Sequence, residues 1–238
     1  MTRPLVLSDA QTARDVLTFA GRAATASADG VRLQGAGGML VLTAAALAPQ
    51  GLFDHTPTVL AMRIVHADPQ LRCDIVVDEL SPGTEPAELT LPDTGRAPAW
   101  AGVSPPRDGW ELIGELSAQI IAARAQWGIS AVAHGSPAGA GEEAVRSLRA
   151  RIWGEPDESL LGLPRGVAFA AHAFGFIAGA EQVRVTASGR WTRLAFARGH
   201  VLSRGPAVTG LTAVRGTGSS AGTGSSTGTG SSTGTGAR

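Results

Sequence analysis

One stiff segment divides this chain and limits how it can fold: Trp100-Ala-Gly-Val-Ser-Pro-Pro-Arg-Asp-Gly-Trp110. Pro105 and Pro106 fix φ and press Ser104 and Pro105 towards extended backbone, so no helix runs through the segment. Asp108, with Glu111 three residues on, predicts a helix start immediately after it. Trp100 and Trp110 are large rings, each with an N–H to satisfy, and are expected to pin the crossover to the body of the protein. Two roles follow. As a structural brace the segment only holds the fold together. As a rigid recognition loop it presents Ser104, Arg107 and the two indoles to a partner.

Before the segment the pattern is mostly that of strands. Pro4–Leu7 is a short strand, and Ser8 with Gln11 opens a helix to about Ala26, with Val16, Ala20 and Ala23 at helical spacing. Val31–Gln34 and Met39–Thr43 flank Gly35-Ala-Gly-Gly38 as a hairpin. Thr58–Val65, Cys73–Asp78 and Glu88–Leu91 complete the strands. Cys73, Ile75 and Val77 share one face of their strand.

After the segment, helices dominate. Glu111–Trp127 is predicted as a helix with Ile113, Leu116, Ile120, Ala123 and Trp127 on one face and Gly128 as its stop. Glu142–Trp153 is a second, turning Val145, Leu148 and Ile152 inward and leaving Arg146, Arg149 and Arg151 more exposed. Val167–Ala178 is apolar nearly all round and reads as a buried helix, with His172 satisfied inside the core. Val183–Thr186 and Trp191–Phe196 form a hairpin about Ser188-Gly189, and His200–Ser203 adds a strand.

The fold class is therefore α+β. A strand-rich half with one helix (1–99) precedes a helix-rich half ending in a β-hairpin (100–215). Both are expected to pack as one composite domain, followed by a disordered Gly/Ser/Thr tail (216–238) with almost nothing to bury. A weak helix–hairpin echo is present: Val31–Leu42 and Val183–Leu194 share four identities in twelve positions at a constant offset of 152, which either a duplication or the general likeness of two hairpins would give. A strand–helix–strand–strand–strand unit used twice resembles the repeating unit of sliding clamps in order of elements alone. The channel helices of a clamp need a basic lining, which these helices lack.

Composition narrows function. The chain has no Lys, Asn or Tyr, so all 20 basic residues are Arg, which reads as the codon bias of a GC-rich, bacterial genome rather than selection for arginine chemistry. Residues 1–142 carry 9 Arg against 15 Asp and Glu, and residues 143–215 carry 10 against 5. Two complementary halves of one fold account for this; a basic surface for an anionic partner or for self-association is the sharper reading. A single cysteine rules out an internal disulfide and a multi-cysteine zinc site. There is no signal-peptide core and no apolar run long enough to span a membrane, so a soluble cytoplasmic protein is expected.

No motif carries chemistry. Gly139-Ala-Gly-Glu-Glu-Ala144 has dinucleotide-loop spacing, but Glu142 and Glu143 stand where phosphate must sit. His55, His66, His134, His172 and His200 never take metal-ligand spacing. No catalytic, cofactor or metal residue is assigned. The expected function is a non-catalytic module that binds a protein partner or a second copy of itself. The candidate contacts are Trp100, Ser104, Arg107, Trp110, Arg146, Arg149, Arg151 and Arg193. An enzyme of unrecognised type is one alternative. Nucleic-acid binding through the basic half is another: three helices and an Arg-bearing hairpin resemble a winged helix-turn-helix, yet Val167–Ile177 offers nothing to read a base edge.

Overall fold

Strands from both halves of the chain build one large sheet. The computed structural model describes residues 4–205, apart from 27, 28, 52, 93, 94, 137, 138 and 140, so the expected tail lies outside the described residues. Along the chain run β1 (Pro4–Val6), α1 (Ala10–Ala26), β2 (Val31–Ala36), β3 (Met39–Leu47), β4 (Thr58–His66), β5 (Cys73–Val77), β6 (Ser81–Pro82), β7 (Glu88–Thr90) and β8 (Glu111–Ser117). Then follow α2 (Ala118–Gly135), α3 (Glu142–Gly154), β9 (Pro156–Asp157), β10 (Leu163–Pro164), α4 (Gly166–Ala173), β11 (Gln182–Ser188), β12 (Trp191–Phe196) and β13 (Gly199–Arg204). The fold is mixed α+β. Its main sheet has eight antiparallel strands in the order β5-β2-β3-β4-β13-β12-β11-β8, with small sheets β1-β7-β6 and β10-β9 beside it.

The order is mirrored about the β4·β13 pair, whose register sets Leu60 opposite Leu202. The two segments offset by 152 occupy equivalent places. Val31 and Val183, Leu33 and Val185, and Leu42 and Leu194 are all buried. Gly37 and Gly189 both take φ 58°, the left-handed conformation that each hairpin turn requires.

Side chains alternate between the two faces of the sheet. On one face Leu40, Leu42, Ala44, Val59, Ala61, Leu194 and Val201 meet α1, α2 and α4 in the main core. On the other face Ala45, Leu60, Val76, Trp191 and Leu202 form a second cluster, closed by Trp100 of the crossover. The crossover therefore lies over the sheet face that the helices leave open.

α1 keeps its predicted stripe, with Val16, Phe19, Ala20 and Ala23 buried, but its cap is Asp9 and not Ser8. The Thr12 N–H donates to Asp9 Oδ1 at 2.8 Å and the Thr12 hydroxyl to Oδ2 at 2.9 Å. These bonds favour the charged carboxylate and hold the Asp9 pKa at about 2. A depressed pKa contributes stability above the unfolded value and loses it as pH falls through the folded one. Asp9→Ala is therefore expected to lower the melting temperature at pH 7, and the difference from wild type to shrink as pH drops from about 4 to 2. A thermal melt series across that range checks both.

The helix predicted over Glu111–Trp127 is a correction. Glu111–Ser117 is the strand β8, paired with β11 through a bulge between Val185 and Thr186. The helix begins only at Ala118, where Ser117 accepts the Gln119 N–H at 3.2 Å, so Ser117 and not Asp108 is the cap. Leu116 lies opposite Val183 and enters the core as a strand residue. The apparent stripe from Ile113 to Trp127 joined a strand to a helix, and short apolar runs do not separate the two periods. Gly128 is no stop either: it lies inside α2, buried beneath the Trp153 ring.

Two smaller expectations also change. α3 buries Trp153 while Val145, Leu148 and Ile152 are only half-buried. α4 ends at Ala173, and His172 on it is exposed rather than held in the core.

Candidate interaction surfaces

The crossover is tied down along its length. Trp100 is 5% exposed among Leu60, Val76, Trp191 and Leu202. The Arg32 guanidinium forms a fork on Asp74 at 2.7 and 2.8 Å, then donates to the Ala101 carbonyl at 2.6 Å and to Ser104 Oγ at 3.4 Å. That fork holds the Asp74 carboxyl below the usual range. Trp110 Nε1 donates to the Pro106 carbonyl at 3.2 Å, and the Arg193 guanidinium lies 4.5 Å over the Trp110 ring. Ser188 Oγ donates to the Asp108 carbonyl at 3.2 Å, while Arg107 is exposed.

Among the described residues, four buried polar atoms have no hydrogen-bond partner: Trp100 Nε1 in the segment itself, and Thr186 Oγ1, Arg193 Nε and His200 Nδ1 on the sheet. Thr186 stands opposite Arg193 and His200 opposite Ala195, so the last three share one region of the sheet face. Burial and the Arg193 charge both push the His200 pKa down, which favours a neutral imidazole.

The other candidate arginines sit on α3, which packs on α2 and α4. Arg146 pairs with Glu143 at 2.6 Å on the exposed surface, and Arg151 is exposed. Arg149 is half-buried; it donates to the Ala26 carbonyl at 3.2 Å and lies 5.4 Å over the Phe169 ring. Arg146 and Arg149 line a cavity of about 470 Å³ with Asp29, Asp54 and Glu142. Asp54 is engaged in its own loop, accepting from the Gln50 N–H at 2.8 Å and the Thr56 hydroxyl at 2.6 Å. The structure thus brings Trp110 and Arg193 together, and Arg146 and Arg149 together. It does not join the two groups, because one lies on the crossover face and the other in the helix layer.

A third surface escaped the sequence. β8 ends the main sheet, and Leu112 and Ile113 on it are 56% and 51% exposed. Next to it Leu161, at φ 59°, sits against Gly114. A left-handed leucine costs roughly 1–2 kcal/mol, so its placement is enforced by the surroundings. Asp157 holds that turn, accepting from Ser159 N at 3.0 Å, Ser159 Oγ at 2.6 Å and Arg165 Nε at 3.2 Å. Arg165 in turn lies 4.5 Å over Trp127, whose ring is exposed on α2 near Ile120. The signal for this surface was the apolar pair Leu112-Ile113 between acidic residues, which the helical stripe concealed.

Among the described residues no three His, Cys, Asp or Glu side chains gather as a metal site, and no helix is long and apolar enough to cross a membrane. Residues 1–102 match the family described as a domain of unknown function (DUF8010), and residues 105–208 that described as a domain of unknown function (DUF8185). The two matches meet at Val103 and Ser104, inside the crossover. No curated protein matches the chain. Among solved structures, a DNA polymerase sliding clamp from Caulobacter crescentus is similar at 10% identity over 88% of this chain and 67% of that one, with a TM-score of 0.45. Another, described as Caulobacter crescentus pol III beta, shows 12% identity over 86% of this chain and 66% of that one, with a TM-score of 0.43. The chain spans about two thirds of their length.

Proposed function

We propose that the chain is a non-catalytic binding module whose partner is a second copy of itself, docked on the β8 edge. The carrying observation is the apolar pair Leu112 and Ile113, exposed on the last strand of the main sheet. An open edge with apolar side chains is a template for strand addition. The opposite edge is less available, because the Arg96 N–H donates to the Val76 carbonyl of β5 at 2.8 Å. The bulge leaves Ile113 without a partner on β11 and turns Leu112 to the face opposite Leu116, so Leu112 and Ile113 stay outside the core and are free to meet the same pair of a second copy. Leu161, Ile120 and Trp127 would extend the apolar contact beyond the edge. The halves 1–99 and 100–215 serve as one composite domain, since both build the sheet whose edge docks.

Sedimentation between about 1 and 100 μM should show a monomer–dimer equilibrium. Leu112→Glu combined with Ile113→Glu should leave a folded monomer, judged by unchanged circular dichroism. A wild type that stays monomeric at about 100 μM, or a double variant that dimerises as well as wild type, overturns the proposal.

A further inference from the structure

A second cleft, distinct from the β8 surface, opens between α1 and α4. It measures about 440 Å³, within the range of about 300–1,000 Å³ usual for small-molecule sites. Thr18, Gly21 and Thr25 form one wall and Phe169 and Ala173 the other. Both threonine hydroxyls are turned onto their own helix: Thr18 Oγ1 donates to the Arg14 carbonyl at 2.8 Å and Thr25 Oγ1 to the Gly21 carbonyl at 3.2 Å. They add methyl surface to the cleft rather than polar partners. Phe169 is half-buried, backed by Trp153 with ring centroids 4.8 Å apart.

Two cations flank this apolar space. Arg22 donates to the Phe174 carbonyl at 2.6 Å, and Arg149 donates to the Ala26 carbonyl at 3.2 Å. Each guanidinium has five N–H donors, so most of them remain for another acceptor. Among the described residues neither has a carboxylate within ion-pair distance, whereas Arg32, Arg63, Arg96 and Arg146 each have one and Arg165 has two. Arg149 is also half-buried, and that burial disfavours its charge. A half-buried cation without a counter-ion, beside an apolar cleft with no other polar demand, suits one kind of molecule.

We infer that this cleft binds an amphiphilic carboxylate, its apolar chain lying between α1 and α4 and its head group held by Arg149 and Arg22. The carboxylate would take up the guanidinium donors that the two helix-end carbonyls leave unused, as charge-assisted hydrogen bonds. The chain would cover Gly21, Ala173 and the exposed side of Phe169.

Decanoate is a suitable probe, read by calorimetry. Saturable binding is expected, with decanol binding about tenfold more weakly or worse for want of the charge. Arg149→Met should weaken decanoate to a similar degree. Because Arg149 also caps the end of α1, a second variant separates binding from folding. A Cβ placed at Gly21 meets nothing within 4 Å, so the helix backbone accepts a side chain there, and Gly21→Leu projects into the cleft that Gly21 lines. It should fold as well as wild type, abolish decanoate binding and leave the sedimentation behaviour unchanged. No binding of decanoate up to about 1 mM, equal binding of decanol, or full binding by Gly21→Leu each overturns the assignment.

Discussion

Phe174→Ala is expected to cost the protein about 3–5 kcal/mol, the range for truncating a buried aromatic. Phe174 stands just past the end of α4 and is 1% exposed. Its ring centroid lies 5.0 Å from Phe19 of α1 and 6.1 Å from Phe176, and Phe176 in turn lies 6.2 Å from Phe196 of β12. These rings join the first helix of the chain to the last strands of the sheet. Removing one leaves a cavity that its neighbours cannot refill, because each is itself held by another ring. Aromatic pairing adds to the loss beyond the area exposed. Urea denaturation followed by circular dichroism measures the change. A neutral result would mean that α1 and α4 do not meet through this cluster.

Gly128→Ala should also destabilise, although local propensity argues the other way. In an exposed helix the change would help by about 1 kcal/mol. Here the new methyl group would overlap the six-membered ring of Trp153. That ring is 2% exposed and stacked on Phe169, so it cannot step aside. Overpacking of this kind costs about 1–3 kcal/mol, which outweighs the helical gain. Trp153→Leu creates room at the same place, so the two substitutions should be coupled. In that background Gly128→Ala should cost at least about 1 kcal/mol less than it does alone. Equal costs in both backgrounds would show that Gly128 and Trp153 do not share the contact.

Much of the architecture was legible because burial follows period. The α1 stripe and both glycine-turn hairpins lie where the local pattern puts them, and the 58–65 run is a strand whose first four residues are buried on both faces, so local pattern and tertiary packing agree. β8 was not legible. Glu111–Ser117 offers Leu112, Ile113 and Leu116, a set that suits a helix face or a strand equally. What decides is the unpaired edge of β11, about 65 residues further along, which supplies hydrogen-bond partners for the β8 backbone. Gly128 shows the same limit. As a sequence signal it marks a helix end; in the fold it is the space that admits Trp153.

The candidate surfaces divide in the same way. From composition and spacing alone follow the α+β class, the crossover at Trp100–Trp110 and the internal echo at an offset of 152, since each is read from the order of residues and needs no contact between distant ones. Which arginines keep a carboxylate and which do not is a tertiary matter. Arg32 meets Asp74 across adjacent strands, while Arg149 reaches only the carbonyl that ends α1. Exposure is tertiary too. Leu112, Ile113 and Trp127 look like core residues in any local window; Leu112 and Ile113 lie outside because β8 ends the sheet, and Trp127 because Ala118, Ile121, Ala125 and Gly128 are the face that α2 turns inward. Small residues there let α4 and Trp153 approach closely, so tight packing, rather than hydropathy, decides which side of α2 meets solvent.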